Sequence, residues 1–118
     1  MNLKNITEKR QRQGKPTISI TKAGVIIFSA ELSRQLELEE GMQVAIFQDM
    51  DAPLNWYLKL NEPGITVRSN KNKTMLMANN AAVCKGLLEV VSREKRSNML
   101  VATSPVEGYY AIITRSAC

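Results

Sequence analysis

The sequence predicts an α+β fold, mostly β, in which a ββαββ unit occurs twice. Three observations lead to this prediction. Short apolar or alternating runs are separated by glycine and polar turns, two amphipathic segments each follow a capping residue, and the strand–helix order recurs after Pro63. We expect residues 16–118 to form one domain of two repeats, 16–62 and 63–118, after a disordered basic arm, residues 1–15.

Four strands are expected in the first repeat. Ile18 and Ile20 alternate with polar residues, which is typical of a half-buried strand, and the apolar, β-branched run 25–28 predicts a buried one. A third strand is predicted over 42–46, where every second residue is apolar, and a fourth over 56–60.

A short helix is predicted between the second and third strands. The hydroxyl of Ser29 can accept hydrogen bonds from the first helical turn, and Leu32 and Leu36 lie four residues apart on one face. We expect Gly41 to end this helix, since glycine readily takes the left-handed conformation found at helix ends.

The same order of elements recurs in the second repeat. Its first predicted elements are a strand through Ile65 and Val67, a polar loop over 68–73 and a strand over 75–77. A helix capped by Asn79 or Asn80 follows, with Val83, Leu87 and Val91 on its inner face, and segment 92–98 is the turn after it. The last predicted elements are a strand led by Leu100 and Ala102, a hairpin loop over 104–108 and a strand over 109–113.

The composition argues against an enzyme. The chain has no histidine, so it lacks an imidazole base and any Ser-His or Cys-His nucleophile pair. Its acidic residues crowd predicted turns, and no glycine-rich phosphate-binding motif is present. We therefore expect a non-enzymatic protein with no cofactor, no metal site and no small-molecule substrate.

The chain also lacks the features of a membrane or secreted protein. No apolar run approaches the roughly 18 residues of a membrane span, and the charged start has no apolar stretch typical of a signal peptide. We expect a cytoplasmic protein. Cys84 lies in an apolar helical pattern and Cys118 is the last residue. The two cysteines could pair, although a buried free thiol at Cys84 fits this pattern better.

Charge is distributed unevenly along the chain. Residues 1–15 have a net charge of +4 and residues 63–118 of +5, whereas residues 30–62 have a net charge of −5. A basic arm can neutralise nucleic-acid phosphates, but it can equally serve as a solubilising end.

The first repeat resembles a known family. The stretch "TKAGVIIF", then Leu32 and Leu36, then "LELEEGMQVAIF" is similar to the AbrB/MazE-like swapped-hairpin domain, also called the SpoVT-AbrB type. The residues that carry the resemblance best are Leu36, Leu38, Gly41 and Val44. It covers about residues 18–60, and it extends to 65–114 only through the internal repeat, so the domain would be present in tandem.

The resemblance implies a fold and a function. Family members intertwine two units into a small barrel, usually as homodimers, and a tandem chain could do so within itself, as related double-psi barrels do. They include bacterial transcriptional regulators and antitoxins that dock a basic face on DNA. This chain has Val25 and Ala30 where many members have Arg or Gln after the glycine and a proline at the helix start.

The resemblance also implies candidate phosphate-binding residues in basic loops, which are Lys22, Arg68, Lys71 and Lys73. The charge of the arm, independently of the resemblance, adds Lys9, Arg10, Arg12 and Lys15 as auxiliary candidates.

Three functions therefore remain open. The first is a regulator that binds double-stranded DNA through these basic residues. The second is a single-stranded-DNA binder of the PC4/Whirly type, which would need aromatic side chains exposed on one sheet face. The third is an interaction module without nucleic acid, in which the acidic first half of one chain meets the basic second half of another in a homo-oligomer.

Overall fold

The structure, a computed structural model, describes residues 15–71 and 75–117. Two α-helices and nine strands form the described part. The helices are α1 (Ala30–Gln35) and α2 (Ala81–Val90), and a 3₁₀ turn spans Thr114–Ser116. The strands are β1 (Thr17–Thr21), β2 (Val25–Phe28), β3 (Gln43–Gln48), β4 (Trp56–Leu60), β5 (Ile65–Thr66), β6 (Arg68–Ser69), β7 (Leu76–Asn79), β8 (Arg96–Val101) and β9 (Tyr110–Ile113).

The strands form one antiparallel sheet that nearly closes into a barrel. Their order is β5-β3-β4-β9-β8-β1-β2-β7-β6. The two edge strands, β5 and β6, are separated in sequence only by Val67. The Val67 N–H donates to the carbonyl of Met42 at 2.8 Å, and its carbonyl accepts from Gly41 N–H at the same distance. The chain therefore joins the two edges of the sheet, and neither edge is left as a long unpaired strand.

The barrel interior is filled by alternate residues of the strands. Ile18 and Ile20 of β1 face inward, as predicted, and they pair with Phe28 and Ile26 of β2, which are also buried. Val44, Leu58, Met99 and Ile112 extend this core along β3, β4, β8 and β9, and buried leucines of both helices complete it. The alternation seen in the sequence is thus the alternation of a barrel wall.

Both helices begin as the sequence predicts. The Ser29 Oγ accepts from Leu32 N–H at 3.1 Å, and the Asn80 Oδ1 accepts from Val83 N–H at 3.0 Å. Each cap supplies an acceptor to an otherwise unpaired amide of the first turn. Of the two candidates for the second cap, Asn79 and Asn80, it is Asn80 that caps α2.

The helix ends differ from the prediction. Gly41 does have a φ of +94°, but α1 ends earlier, at Gln35, and the left-handed residue that follows its C-cap is Glu37, with a φ of +53°. Leu38 N–H donates to Ser33 C=O at 2.9 Å, and Glu37 N–H donates to Arg34 C=O at 3.3 Å, which is the Schellman pattern. Gly41 instead shapes the turn that carries the chain into β3.

The second helix ends in the same manner. Ser92 has a φ of +56°, and Arg93 N–H donates to Leu88 C=O at 2.9 Å. Both helices are therefore terminated by a left-handed residue that is not glycine, and this explains why a glycine-based prediction missed the end of α1.

Two predicted elements of the second half are shifted. Arg68 was expected in a loop but lies in β6, because a two-residue ladder pairs it with Met77 of β7. In β8 the inward residues are Ser97, Met99 and Val101, so Leu100 lies on the opposite face and the strand begins at Arg96 rather than near Leu100. Segment 92–98, expected as a turn, is therefore partly strand.

Candidate nucleic-acid interface

The outer surface of β8, β1, β2, β7 and β6 forms the basic face, as we call it below. Asn98, Ser19, Ile27, Met77 and Arg68 lie side by side across these five strands. The strands contain no acidic residue, and their two charged side chains are those of Arg68 and Arg96. An anion approaching this surface therefore meets no carboxylate on the strands themselves.

One end of the basic face collects further cations. Lys22 N–H, in the turn between β1 and β2, donates to Lys95 C=O at 2.7 Å, and Thr21 pairs with Arg96. These contacts bring the β1–β2 turn against the segment between α2 and β8, which also contains Arg93. We call Lys22, Arg93, Lys95 and Arg96 the basic cluster.

An open groove of about 600 Å³ adjoins the basic cluster. Arg93 and Arg96 line it together with the polar side chains of Ser19, Thr21 and Asn98. Ser19 Oγ donates to Asn98 Oδ1 across β1 and β8. The groove thus combines two guanidinium groups with hydroxyl and amide groups, which is a suitable lining for phosphate oxygens.

The other end of the basic face holds Lys15 and Lys71. The Lys15 carbonyl accepts from Ser29 Oγ at 3.0 Å, next to Phe28, and Lys71 lies in the turn that leads to Leu76, the residue paired with Phe28. Because β7 has four residues and a strand rises about 3.3 Å per residue, this end lies about 10 Å from the β1–β2 turn.

Arg68 lies on β6, at the edge of the basic face opposite β8. Its Nε donates to Asn79 Oδ1 at 2.6 Å, which holds the exposed guanidinium against the sheet. A carboxylate lies nearby, since Glu40 accepts from the backbone N–H of Ser69 at 3.2 Å and from its hydroxyl. The field of Arg68 is therefore partly offset at this edge, and the segment that carries Arg93, Lys95 and Arg96 also includes a carboxylate, that of Glu94.

The predicted phosphate-binding residues are thus only partly brought together. Lys22 lies in the basic cluster, Arg68 on the far strand, and Lys15 and Lys71 at the opposite end. Four others, Lys9, Arg10, Arg12 and Lys73, lie outside the described residues. Sequence reasoning missed Arg93, Lys95 and Arg96, although the charge density of segment 92–98, "SREKRSN", was visible in the sequence.

The ion pairs within the described part of the chain do not involve these cations. Between residues 15–71 and 75–117 they are those of Arg34 with Glu31 and of Lys59 with Glu62, the latter at 3.5 Å. The carboxylate of Glu40 nevertheless lies at the edge of the basic face, through its hydrogen bonds with Ser69.

A second surface feature lies on the outer face of β3, β4 and β9. The ring centroids of Phe47 and Tyr109 are 5.5 Å apart and those of Tyr57 and Tyr109 are 6.1 Å apart, both in edge-to-face geometry. Phe47 is 37% exposed, whereas Trp56 is buried at 7%. Phe47 is therefore exposed on this sheet face beside the half-buried Tyr57 and Tyr109, which meets the requirement of the single-stranded-DNA alternative only in part.

No helix of the described residues is long and apolar enough to cross a membrane. The same residues contain no group of three or more cysteine, aspartate or glutamate side chains close enough to hold a metal ion. Cys84 is buried in α2, and its Sγ lies 3.5 Å from the Val25 carbonyl. Burial raises the pKa of this thiol above its usual value, and a backbone hydrogen bond at Thr21 offsets part of that effect. Cys118, its predicted alternative partner, lies outside the described residues.

In comparisons with known proteins, no protein-family model matches the chain, and no curated protein or solved structure gives a significant match.

Proposed function

We propose that this protein is a non-enzymatic regulator that binds double-stranded DNA through the basic cluster and the adjoining basic face. The observation that carries the proposal is the contact between two distant segments. The Lys22–Lys95 backbone bond and the Thr21–Arg96 pairing gather four cations at one end of a surface whose strands contain no acidic residue.

The proposal has a quantitative consequence for binding. If the four side chains of the basic cluster each neutralise one phosphate, the logarithm of the binding constant should fall with the logarithm of salt concentration with a slope of about −3.6. Affinity would then fall roughly 100-fold between about 50 and about 200 mM salt. Contacts of this kind hold a duplex without reading its sequence.

The family resemblance is part of the proposal, because the strand pairings of the two halves correspond. The β1–β2 hairpin corresponds to β6–β7, the β3–β4 hairpin to β8–β9, and the pairing of β1 with β8 to that of β5 with β3. The matching Schellman ends of α1 and α2 add to this correspondence. We propose two intertwined ββαββ repeats, an intramolecular counterpart of the AbrB/MazE-like dimer.

The experiment is fluorescence anisotropy with labelled duplex and single-stranded DNA. An Arg93→Ala/Lys95→Ala/Arg96→Ala variant should lose most duplex affinity. An Arg34→Ala/Lys59→Ala/Arg115→Ala variant changes net charge equally but away from the basic cluster, and it should bind nearly as well as the unmodified chain. Equal losses in both variants would reduce the effect to net charge and refute the proposed surface.

The auxiliary arm is tested separately in the full chain. A Lys9→Ala/Arg10→Ala/Arg12→Ala variant should weaken duplex binding moderately and uniformly across sequences, since arm contacts would be made to phosphates. Loss of all binding in this variant alone would move the site from the basic cluster to the arm.

The two other functions have their own signatures in this experiment. Single-stranded binding that is abolished by Phe47→Ala and unaffected by the basic-cluster variant would favour stacking on the aromatic surface, which the exposed rings allow. Salt-sensitive self-association without DNA binding, measured by analytical ultracentrifugation, would favour an interaction module. In that module the acidic segment after α1, with Glu37, Glu39 and Glu40, would meet the basic cluster of another copy.

A further inference from the structure

The aromatic surface contains a shallow pocket of about 340 Å³. Three of its walls are the rings of Phe47, Tyr57 and Tyr109, and the ring planes meet at 82° and 73°. Rings packed edge to face present ring edges as well as ring faces to the pocket, whereas a platform for a stacked base needs one open ring face. The exposed side chain of Val106, at 71%, completes the apolar rim.

A cation already lies against one of these rings. The Lys59 Nζ is 5.1 Å from the centroid of Tyr109, within the range of a cation–π interaction. Lys59 is not among the residues that line the pocket, so it leaves the pocket itself open. The electron-rich face of the Tyr109 ring is thus in a position to attract an ammonium group.

Two carboxylates stand at the same pocket. Asp49 and Glu107 both line it, and Asp49 is held in place because its Oδ1 accepts from Asp51 N–H at 2.9 Å. Carboxylates at the rim repel the phosphates of a nucleic-acid strand and attract cations. Their presence therefore weighs against base stacking here, although the rings alone would permit it.

We propose that this pocket binds a cationic side chain, the guanidinium or ammonium group of an arginine or lysine in a basic segment of a protein partner. The three rings would contact the faces of the cation, the two carboxylates would neutralise it, and Val106 would contact the flanking residues of the partner. The site is formed by the end of β3, by β4 and by the loop before β9, and it shares no residue with the basic face, so it is independent of the proposed DNA binding.

The test is an NMR titration of the ¹⁵N-labelled full chain with the peptide Gly-Ser-Arg-Ser-Gly. Its control is the same peptide with citrulline, the neutral and nearly isosteric counterpart of arginine. We expect saturable shifts of the Phe47, Tyr57 and Tyr109 amides with the arginine peptide and at least about threefold weaker binding of the citrulline peptide.

Three variants locate the contact. Phe47→Leu keeps an apolar side chain but removes one ring, and Glu107→Gln removes one charge from an exposed loop. Each should weaken arginine-peptide binding about two- to fivefold. Met50→Ala removes an exposed side chain of the neighbouring loop that does not line the pocket, and it should leave binding unchanged.

The proposal is overturned by any of three results. The first is equal chemical-shift changes with the arginine and citrulline peptides. The second is chemical-shift changes with the arginine peptide that are confined to the acidic segment around Glu37. The third is saturable shifts of the ring residues with oligothymidine that the Phe47→Leu substitution abolishes. The last result would assign the surface to single-stranded nucleic acid. Because the readout is residue-specific, each of these outcomes is distinguishable from failure of DNA binding at the basic cluster.

Discussion

Ser29 and Asn80 cap the two helices, but Ser29 should matter about twice as much to stability. The Ser29 hydroxyl accepts from Leu32 N–H, accepts from Thr17 N–H at 2.9 Å and donates to Lys15 C=O at 3.0 Å. It therefore joins the start of α1 to the start of β1. The Asn80 side chain supplies one bond, to Val83 N–H.

The magnitudes follow from these contacts. Loss of an N-cap costs about 1 kcal/mol, and loss of an acceptor for the partly buried Thr17 amide costs about 1 kcal/mol more. Ser29→Ala should therefore lower the free energy of unfolding by about 2 kcal/mol and Asn80→Ala by about 1 kcal/mol. With a urea m-value of about 2 kcal/mol/M, the unfolding midpoints should fall by about 1 M and about 0.5 M.

The assay is urea unfolding followed by circular dichroism, with Ser29→Thr as a control that keeps a hydroxyl acceptor. That control should lose less than half as much stability as Ser29→Ala. An Asn80→Ala variant as unstable as Ser29→Ala, or more so, would refute the reasoning, since it would show that the bond to Thr17 adds nothing.

Three further predictions concern Gly86, Cys84 and Glu37. Gly86→Ala should destabilise the fold by about 1 kcal/mol, because the added methyl group would lie 2.9 Å from the buried ring of Trp56. Overpacking of this kind costs about 2 kcal/mol, and the better helix propensity of alanine offsets about 1 kcal/mol of that cost. Urea unfolding and tryptophan fluorescence measure this, and unchanged stability would contradict it. In a Cys118→Ser background, Cys84 should react with a thiol reagent only on unfolding; rapid native-state labelling would contradict its burial. The pKa of the Cys84 thiol is raised in the folded state, so its contribution to the free energy of unfolding is present below the unfolded pKa of about 8.5 and declines as pH rises above that value. The Cys84→Ala variant should lack this decline. Glu37→Gly should stabilise by about 0.5 kcal/mol in thermal melts, since φ is +53° there, and a loss of stability would argue against the left-handed helix end.

Local features of this chain were predictable from sequence because their causes are local. The cap at Ser29 and the inward positions of Ile18 and Ile20 depend on neighbouring residues and on the two-residue period of a strand. The mostly β character with two helices follows from such patterns. The helix end at Glu37 was missed because a left-handed residue other than glycine has no clear mark in the sequence.

The candidate site was less predictable because it depends on distant contacts. Lys22 and Lys95 are far apart in sequence, and only the pairing of β1 with β8 brings their turns together. Arg68 was assigned to a loop because a two-residue strand is too short to produce an alternating pattern. The aromatic pocket likewise requires the β3–β4–β9 register, which places Phe47 beside Tyr57 on the outer face.

The most direct measurement of the central claim is the salt dependence of duplex binding. Anisotropy titrations at four salt concentrations would compare the full chain with its Lys22→Ala/Arg93→Ala/Lys95→Ala/Arg96→Ala variant. We expect a log–log slope of about −3.6 or steeper for the full chain and, for the variant, much lower affinity with a slope less steep by about 3.6. Equal slopes and affinities for the two chains would contradict the assignment of DNA binding to the basic cluster.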